Sequence, residues 1–264
     1  MAESQNENRS SLISCLVVTG NRPALLKRAI LCYNNQTHKD KELVVVDDGE
    51  TDLTEVLSAV PTSELKYVKL EPDPSRTLGE LRNVSLDSAS GAYLAQWDDD
   101  DWYHPERLAL QYQALQKGFD ACCLAATLMH VDGPEMNDHP YVGELPDGVP
   151  GTIMHVANAT HRYPKERKGE DSFYLKFWME GSYTKLPLEY SHLFIRCFHG
   201  HNTWGENHFT RRIRNSPLSL LEYVWCKYVL RDVYRHSSFK LSSTSLEAMR
   251  QFKADSNKVG LVLN

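Results

Sequence analysis

Four consecutive aspartates, Asp98 to Asp101, close a strand-like run that begins at Gly91, and Trp102, Tyr103 and Pro105 follow them. Adjacent carboxylates repel one another, so a cluster that is even half-buried calls for a cation. Oxygen donors in such number suit magnesium, manganese or calcium and not zinc. An acidic run is more often a solvated turn. Here its place between an apolar strand and two aromatics points to a metal site. A second acidic pair, Glu170-Asp171, stands at the head of a helix-like stretch, SFYLKFWME, where the helix dipole favours ionised carboxylates. Plain N-terminal capping explains that pair equally well.

The elements that must position these groups alternate. Residues 12–18 and 42–46 read as short apolar strands, 65–71 as a third, and 91–97 as the strand that ends in the aspartates. Helices are expected over 24–33, from Asp52 to Leu57, and over 78–89. Strand, helix, strand in that order argues for a mostly parallel sheet with helices on its faces. The polar strand ends Thr19 to Arg22, Asp47 to Gly49 and Asp98 to Asp101 then lie along one edge, where such sheets bind ligands. Beyond them we expect a helix over 105–117, a strand over 120–131 and a long loop over 132–150. A weaker strand follows at 152–157 and a last strand at 189–198, with tail helices at 218–234 and 244–253. The first tail helix carries an apolar face with Lys227, Arg231 and Arg235 beside it, which suits a core, a second subunit or, less readily, a membrane surface.

Composition narrows the class. A net charge of -6 argues against a nucleic-acid binder. The six cysteines form no C-x-x-C pair and read as buried thiols in a reducing compartment. The polar start, MAESQNENRSS, reads as a disordered N-terminus over 1–11 and not as a signal peptide. A cytoplasmic protein, peripheral to the inner membrane at most, is the expectation. Neither G-x-G-x-x-G nor G-x-x-x-x-G-K-[ST] is present, so no glycine loop cradles phosphates, which fits a metal in that role.

Together these segments resemble family 2 glycosyltransferases of the GT-A fold, which use nucleotide sugars and usually invert. SCLVVTGNRPALLKRAI is similar to their first strand and turn, and VVVDDGETD to their second. LGELRN is similar to their arginine-bearing helix, AYLAQWDDDDW to their D-x-D element, GED at 169–171 to their catalytic pair, and HGHNTW at 199–204 to a histidine segment of some members. The likeness covers about 12–205, with a donor half at 12–118, an acceptor and catalytic half at 119–205, and a helical extension over 206–264.

The resemblance implies a nucleotide pocket lined by Thr19, Asn21 and Arg22. Asp47, or second to it Asp48, would accept from the base, uracil being the commonest. Arg82, helped by Arg76, would meet the diphosphate. Asp98, with Asp99, would face the ribose or the metal, and Asp100 would be the main ligand of Mn2+ or Mg2+, completed by His199 or His201. Asp171 would be the general base, with Glu170 orienting it. Trp102, Trp178 and Tyr174 would stack on the acceptor sugar, or else belong to the core. The implied partners are a nucleotide-sugar donor and a glycan or lipid-linked acceptor, in surface polysaccharide synthesis. A nucleotidyltransferase and a non-catalytic nucleotide-sugar-binding protein are the competing readings.

Overall fold

The computed structural model describes residues 10–133, 136, 138–200, 202 and 205–261. In chain order the elements are β1 (Ile13–Thr19), α1 (Pro23–Asn34), β2 (Lys41–Asp47), α2 (Thr54–Leu57), β3 (Leu65–Lys69), α3 (Leu78–Ser88), β4 (Tyr93–Gln96) and β5 (Trp102–Tyr103). Then come α4 (Arg107–Leu115), β6 (Ala121–Leu124), β7 (Ala126–Val131), β8 (Tyr141–Glu144), β9 (Met154–Val156), α5 (Glu170–Met179) and β10 (Tyr183–Leu186). The last are β11 (Phe194–Phe198), α6 (Glu206–Thr210), α7 (Pro217–Val224) and α8 (Ser243–Lys258).

The chain divides into two compact units, each made of two stretches: up to Cys123 with Pro150–Leu186, and Leu124–Val149 with Pro187–Asn264. The expected boundaries at 118 and 205 are not where the contacts thin. The described part of the expected extension, 206–261, groups with 124–149 in the second unit.

The first unit holds a sheet in the order β10-β6-β9-β4-β1-β2-β3. Strands β4, β1, β2 and β3 run parallel, and β9 is antiparallel to both β4 and β6. Every residue of β1 and β2 is buried, the mark of strands covered on both faces. Ser14 and Glu42 are polar exceptions, and they satisfy each other: Ser14 Oγ donates to Glu42 Oε1 at 2.6 Å and accepts from the Gly91 N–H at 2.8 Å. Helix α1 starts on Pro23, whose missing N–H costs nothing in the first turn. Helix α3 starts on a reciprocal cap between Thr77 and Glu80.

Several elements differ from the sequence reading. The expected strand over 120–131 is two strands, β6 and β7, broken at Ala125 and divided between the units. An unbroken apolar run gives no sign of such a break. Strand β8 lies inside the expected 132–150 loop, and β10 has no counterpart in the reading. Of the 189–198 segment, only 194–198 is extended; Leu188–Leu193 forms a 3-10 turn. The long tail helix ends at Val224, and a π-helical turn, Trp225–Val229, follows. Arg231 then turns the chain with φ 53°.

In the second unit β11 runs parallel to β7, and β7 antiparallel to β8. Met129, Val131, Tyr141, Phe209 and Ile213 form its apolar core. Helix α8 buries Ala248, Met249 and Phe252, and the Phe252 ring meets His130 edge-on. Among the described residues, no helix is long and apolar enough to cross a membrane.

Candidate active site

The aspartate run sits at the C-terminal end of β4, and an aromatic plug beneath it fixes its path. Trp97 stacks on Tyr103 at 3.9 Å between ring centres, and its indole N–H donates to the Ala29 carbonyl. The fully buried Arg107 guanidinium lies 4.7 Å from the Tyr103 ring centre and donates to the Gln96 carbonyl at 2.9 Å. Burial lowers its pKa, yet the carbonyl and ring faces around it accept a cation. The Tyr103 hydroxyl donates to the Asp98 carbonyl at 2.7 Å.

Held in this way, the aspartates face different surroundings. Asp99 is 1% exposed, accepts from Thr19 Oγ1 at 2.6 Å and pairs with Arg22 at 2.8 Å. Burial raises its pKa to about 7, against the pull of Arg22 and with the push of Asp100. Asp100, its side chain 18% exposed, takes the other end of Arg22 at 3.3 Å. Arg28 donates to its carbonyl at 2.6 Å. Asp98, its side chain 24% exposed, pairs with Arg82 at 2.9 Å and accepts from the Gln96 amide at 3.0 Å. Asp101 is buried. Asp98 and Asp100 are thus partly exposed, and Asp99 between them is buried.

Helix α3 connects this turn to the second acidic pair. Gly79 passes so close to the 163–166 segment that a Cβ there would lie 1.8 Å from the Pro164 carbonyl oxygen. One turn on, the Asn83 amide bonds the Tyr163 backbone in both directions, at 2.9 Å each. The two contacts bring the start of α5 to Arg82, whose Nε donates to Glu170 Oε1 at 3.0 Å. One buried guanidinium thus joins Asp98 to Glu170. Burial opposes its charge, but Asp98 and Glu170 outweigh that and hold its pKa well above the usual value. Glu170 is buried, and desolvation raises its pKa in spite of Arg82. Asp171 stands beside it, half-buried, accepting from the Ser172 N–H at 2.7 Å.

The loops after β1 and β2 are laced together. Asn21, at φ 59°, accepts through Oδ1 from the Glu50 and Thr51 N–H groups at 2.8 and 3.0 Å. A Cβ on Gly49 would come within 2.5 Å of the Asn21 nitrogen, so only glycine fits there. Asp47 is buried and accepts from the Gly49 N–H, the Tyr67 hydroxyl and Lys69, at 2.8, 2.8 and 2.9 Å.

This geometry revises several expected roles. Asp47 has its oxygens filled from within, so the half-buried Asp48 is the better placed of the two to meet a base. Thr19 Oγ1 is engaged by the buried Asp99, and Asn21 spends Oδ1 on the 50–51 backbone while remaining exposed itself. Arg82, 8% exposed in its side chain, is a link between carboxylates and not an open phosphate ligand. Arg76 donates to the Glu71 carbonyl in its own loop. Trp102 and Trp178 are buried and present no free face to a sugar. Trp178 stacks on His155 at 4.3 Å, and Tyr174 on Tyr163 at 3.9 Å. His199 belongs to the second unit, where its N–H donates to Asn202, and His201 lies outside the described residues. Gln96, Arg28 and Tyr163 were missed. Gln96 alone carried a signal, a lone amide in an apolar strand.

The donor set fits a hard divalent cation, since Asp98 and Asp100 offer only oxygen and are partly exposed. Among the described residues no group of three or more His, Cys, Asp or Glu is arranged around a common point. The rest of a shell would come from a ligand's own oxygens.

The fold is shared with proteins of known structure that hold nucleotide sugars. S. aureus TarS (residues 1–349), in complex with UDP-GlcNAc, superposes with a TM-score of 0.57 at 18% identity, covering 95% of this chain and 83% of that one. Mannosyltransferase PcManGT from Pyrobaculum calidifontis, in complex with GDP-Man and Mn2+, gives 0.54 at 14% identity, covering 94% and 76%. The architecture is thus the mixed α/β GT-A type. The profile of glycosyl transferase family 2 matches residues 14–168, more than half of the chain, and the chain belongs to that family. Among curated relatives, Escherichia coli chondroitin synthase is 25% identical over 130 residues, 49% of this chain and 19% of that protein. Pasteurella multocida hyaluronan synthase is 27% identical over 131 residues, 49% of this chain and 13% of that protein. The matched segment is therefore a fifth or less of those proteins' length.

Proposed function

We propose that this chain transfers a sugar from a nucleoside diphosphate sugar, with uridine as the nucleoside, to an acceptor hydroxyl with inversion at the anomeric carbon. The observation that carries this reading is the Arg82 bridge, which ties the strand-end carboxylate Asp98 to the helix-start carboxylate Glu170. The site so formed has a diphosphate-facing end and an acceptor-facing end.

Asp98 and Asp100 would hold Mn2+ or Mg2+, which when bound neutralises charge on the departing diphosphate. Arg22, its side chain about a third exposed, is the cation within reach of the phosphates. Asp48 accepts from the base. Asp171 takes the proton of the acceptor hydroxyl as its oxygen bonds to the anomeric carbon. The bond from that carbon to the phosphate oxygen breaks, and its electron pair leaves with the nucleoside diphosphate. Glu170, locked on Arg82, fixes the helix start that presents Asp171. Solvent access separates their tasks: the buried Glu170 positions, and the half-buried Asp171 reacts.

A surface polysaccharide or a lipid-linked glycan is the acceptor class we attach to this reading, with the reaction on the cytoplasmic side. The names of the chondroitin and hyaluronan synthases support a polysaccharide. The test is release of nucleoside diphosphate from a panel of nucleotide sugars with manganese, with and without candidate acceptors. Binding of a nucleotide sugar without any release, in wild type as in Asp171→Asn, would mean a binding protein and not a transferase.

A further inference from the structure

In the second unit, α7 and the π turn after it carry large apolar side chains in water. Leu218, Leu221, Trp225 and Tyr228 are 79, 67, 57 and 68% exposed, and Val229 and Val224 are exposed beside them. The spacing 218, 221, 225, 228 is that of one helical face. The wide turn continues that face past Val224, because the Leu230 N–H bonds the Trp225 carbonyl at 3.1 Å. The opposite side faces the unit: Cys226 is buried, and Tyr223 packs on the Met129 and Phe209 cluster. The exposed row is therefore not the core-facing row, and a monomeric protein rarely leaves such a patch open.

The charge around this face selects its occupant. Between 211 and 235 there are six basic residues and two acidic ones, in a chain with a net charge of -6. Arg211, Arg214, Lys227, Arg231 and Arg235 are all exposed. Lys227 lies 5.5 and 5.7 Å from the Tyr223 and Tyr228 ring centres, its stem along apolar surface and its charge at the rim. A twofold contact with a second copy would set this positive rim against itself. We infer that the exposed face of α7 and its π turn seats on an anionic lipid surface. Leucine and valine enter the acyl boundary, Trp225 and Tyr228 lie at headgroup level, and the lysine and arginines meet lipid phosphates.

Flotation with vesicles tests this without donor or turnover, so its outcome is separate from that of the transferase reading. Vesicles of phosphatidylcholine mixed with phosphatidylglycerol should retain the protein at least about tenfold better than phosphatidylcholine alone, and high salt should weaken retention. Leu221→Glu with Trp225→Glu should abolish retention, and Lys227→Glu with Arg231→Glu should remove its preference for anionic lipid. Both pairs lie at exposed positions, and an unchanged melting temperature will show that the fold persists. Equal retention by both vesicle types, no retention by either, or retention unaffected by the Glu pairs would overturn the inference. So would a dimer in light scattering that Leu221→Glu with Trp225→Glu splits into monomers, which would give the face to a second copy.

Discussion

Two regions of this molecule invert the usual distribution of polarity in opposite senses. Around β4, α3 and the start of α5, charges are buried: Arg82, Asp99 and Glu170 are nearly inaccessible, and each is paired. Around α7, the apolar side chains are in water and the cations are exposed beside them. Burying a charge costs several kcal/mol unless a partner compensates, roughly 3–5 kcal/mol being lost when one partner is removed. Exposing leucine costs the fold little and costs solubility more. The first arrangement is held by the fold at its own expense, and so fixes geometry for chemistry inside one unit. The second is left for something outside the chain to cover.

Substitutions at each region break or sharpen that contrast. The largest effect is expected at the edge of the buried network. Asp171→Asn should lower transfer roughly a hundred- to ten-thousand-fold. Calorimetry should show donor affinity unchanged, since the proposed function assigns Asp171 to the acceptor hydroxyl. Near-normal turnover would remove it as the base. Next, Arg82→Leu leaves Asp98 and Glu170 without their shared cation and should cost about 3–5 kcal/mol in urea denaturation. Adding Glu170→Gln should recover part of the loss. If the two changes simply add, the bridge carries no coupling.

The packed ring stack beside that network gives a pH test. His155 donates from Nδ1 to the Val156 carbonyl and accepts from the Tyr174 hydroxyl at Nε2. Burial holds its pKa down at about 4, from an ordinary 6.5. The unfolded chain therefore binds a proton that the native chain refuses between these values. Its share of stability is complete above pH 6.5 and is lost as pH falls towards 4, by at most about 3 kcal/mol. Thermal melts across that window should show the decline, and His155→Gln should flatten it.

A smaller effect is expected at Asp100, the carboxylate proposed to hold the metal. Asp100→Ala should weaken uridine diphosphate binding in manganese roughly tenfold, ~1.4 kcal/mol. Binding in chelator should not change. Equal loss in both conditions would assign Asp100 to scaffolding. Smallest of all, Leu218→Gln on the exposed face should shift stability by less than about 0.5 kcal/mol, against the much larger cost at Arg82. A large loss there would mean that the face is packed.

Much of the fold was legible because β1, β2 and β4 are short, mostly apolar runs, and the helices between the strands begin on local signals, Pro23 for α1 and the Thr77–Glu80 cap for α3. Period and punctuation are local properties of a chain, and β1 to β4 with α1 and α3 follow them. Strand β10 and the break at Ala125 were not legible, because which sheet a strand joins depends on partners distant in sequence. For the same reason, half of the 189–198 segment is a 3-10 turn although its composition reads as strand.

The residue types at the site were fixed by the sequence alone: an acidic run at a strand end, an acidic pair at a helix start, and an arginine on the helix between them. Tertiary structure decided how each group is placed and paired. Asp98 and Asp100 face outward while Asp99 is sealed, Asp47 is filled while Asp48 is half-open, and Arg82 is a bridge because Gly79 and Asn83 draw α5 against α3. Tryptophans that composition offers to a sugar are core, and leucines that composition offers to a core are in water. The reason is that burial and pairing are set by contacts between segments far apart in the chain, and no local pattern records them.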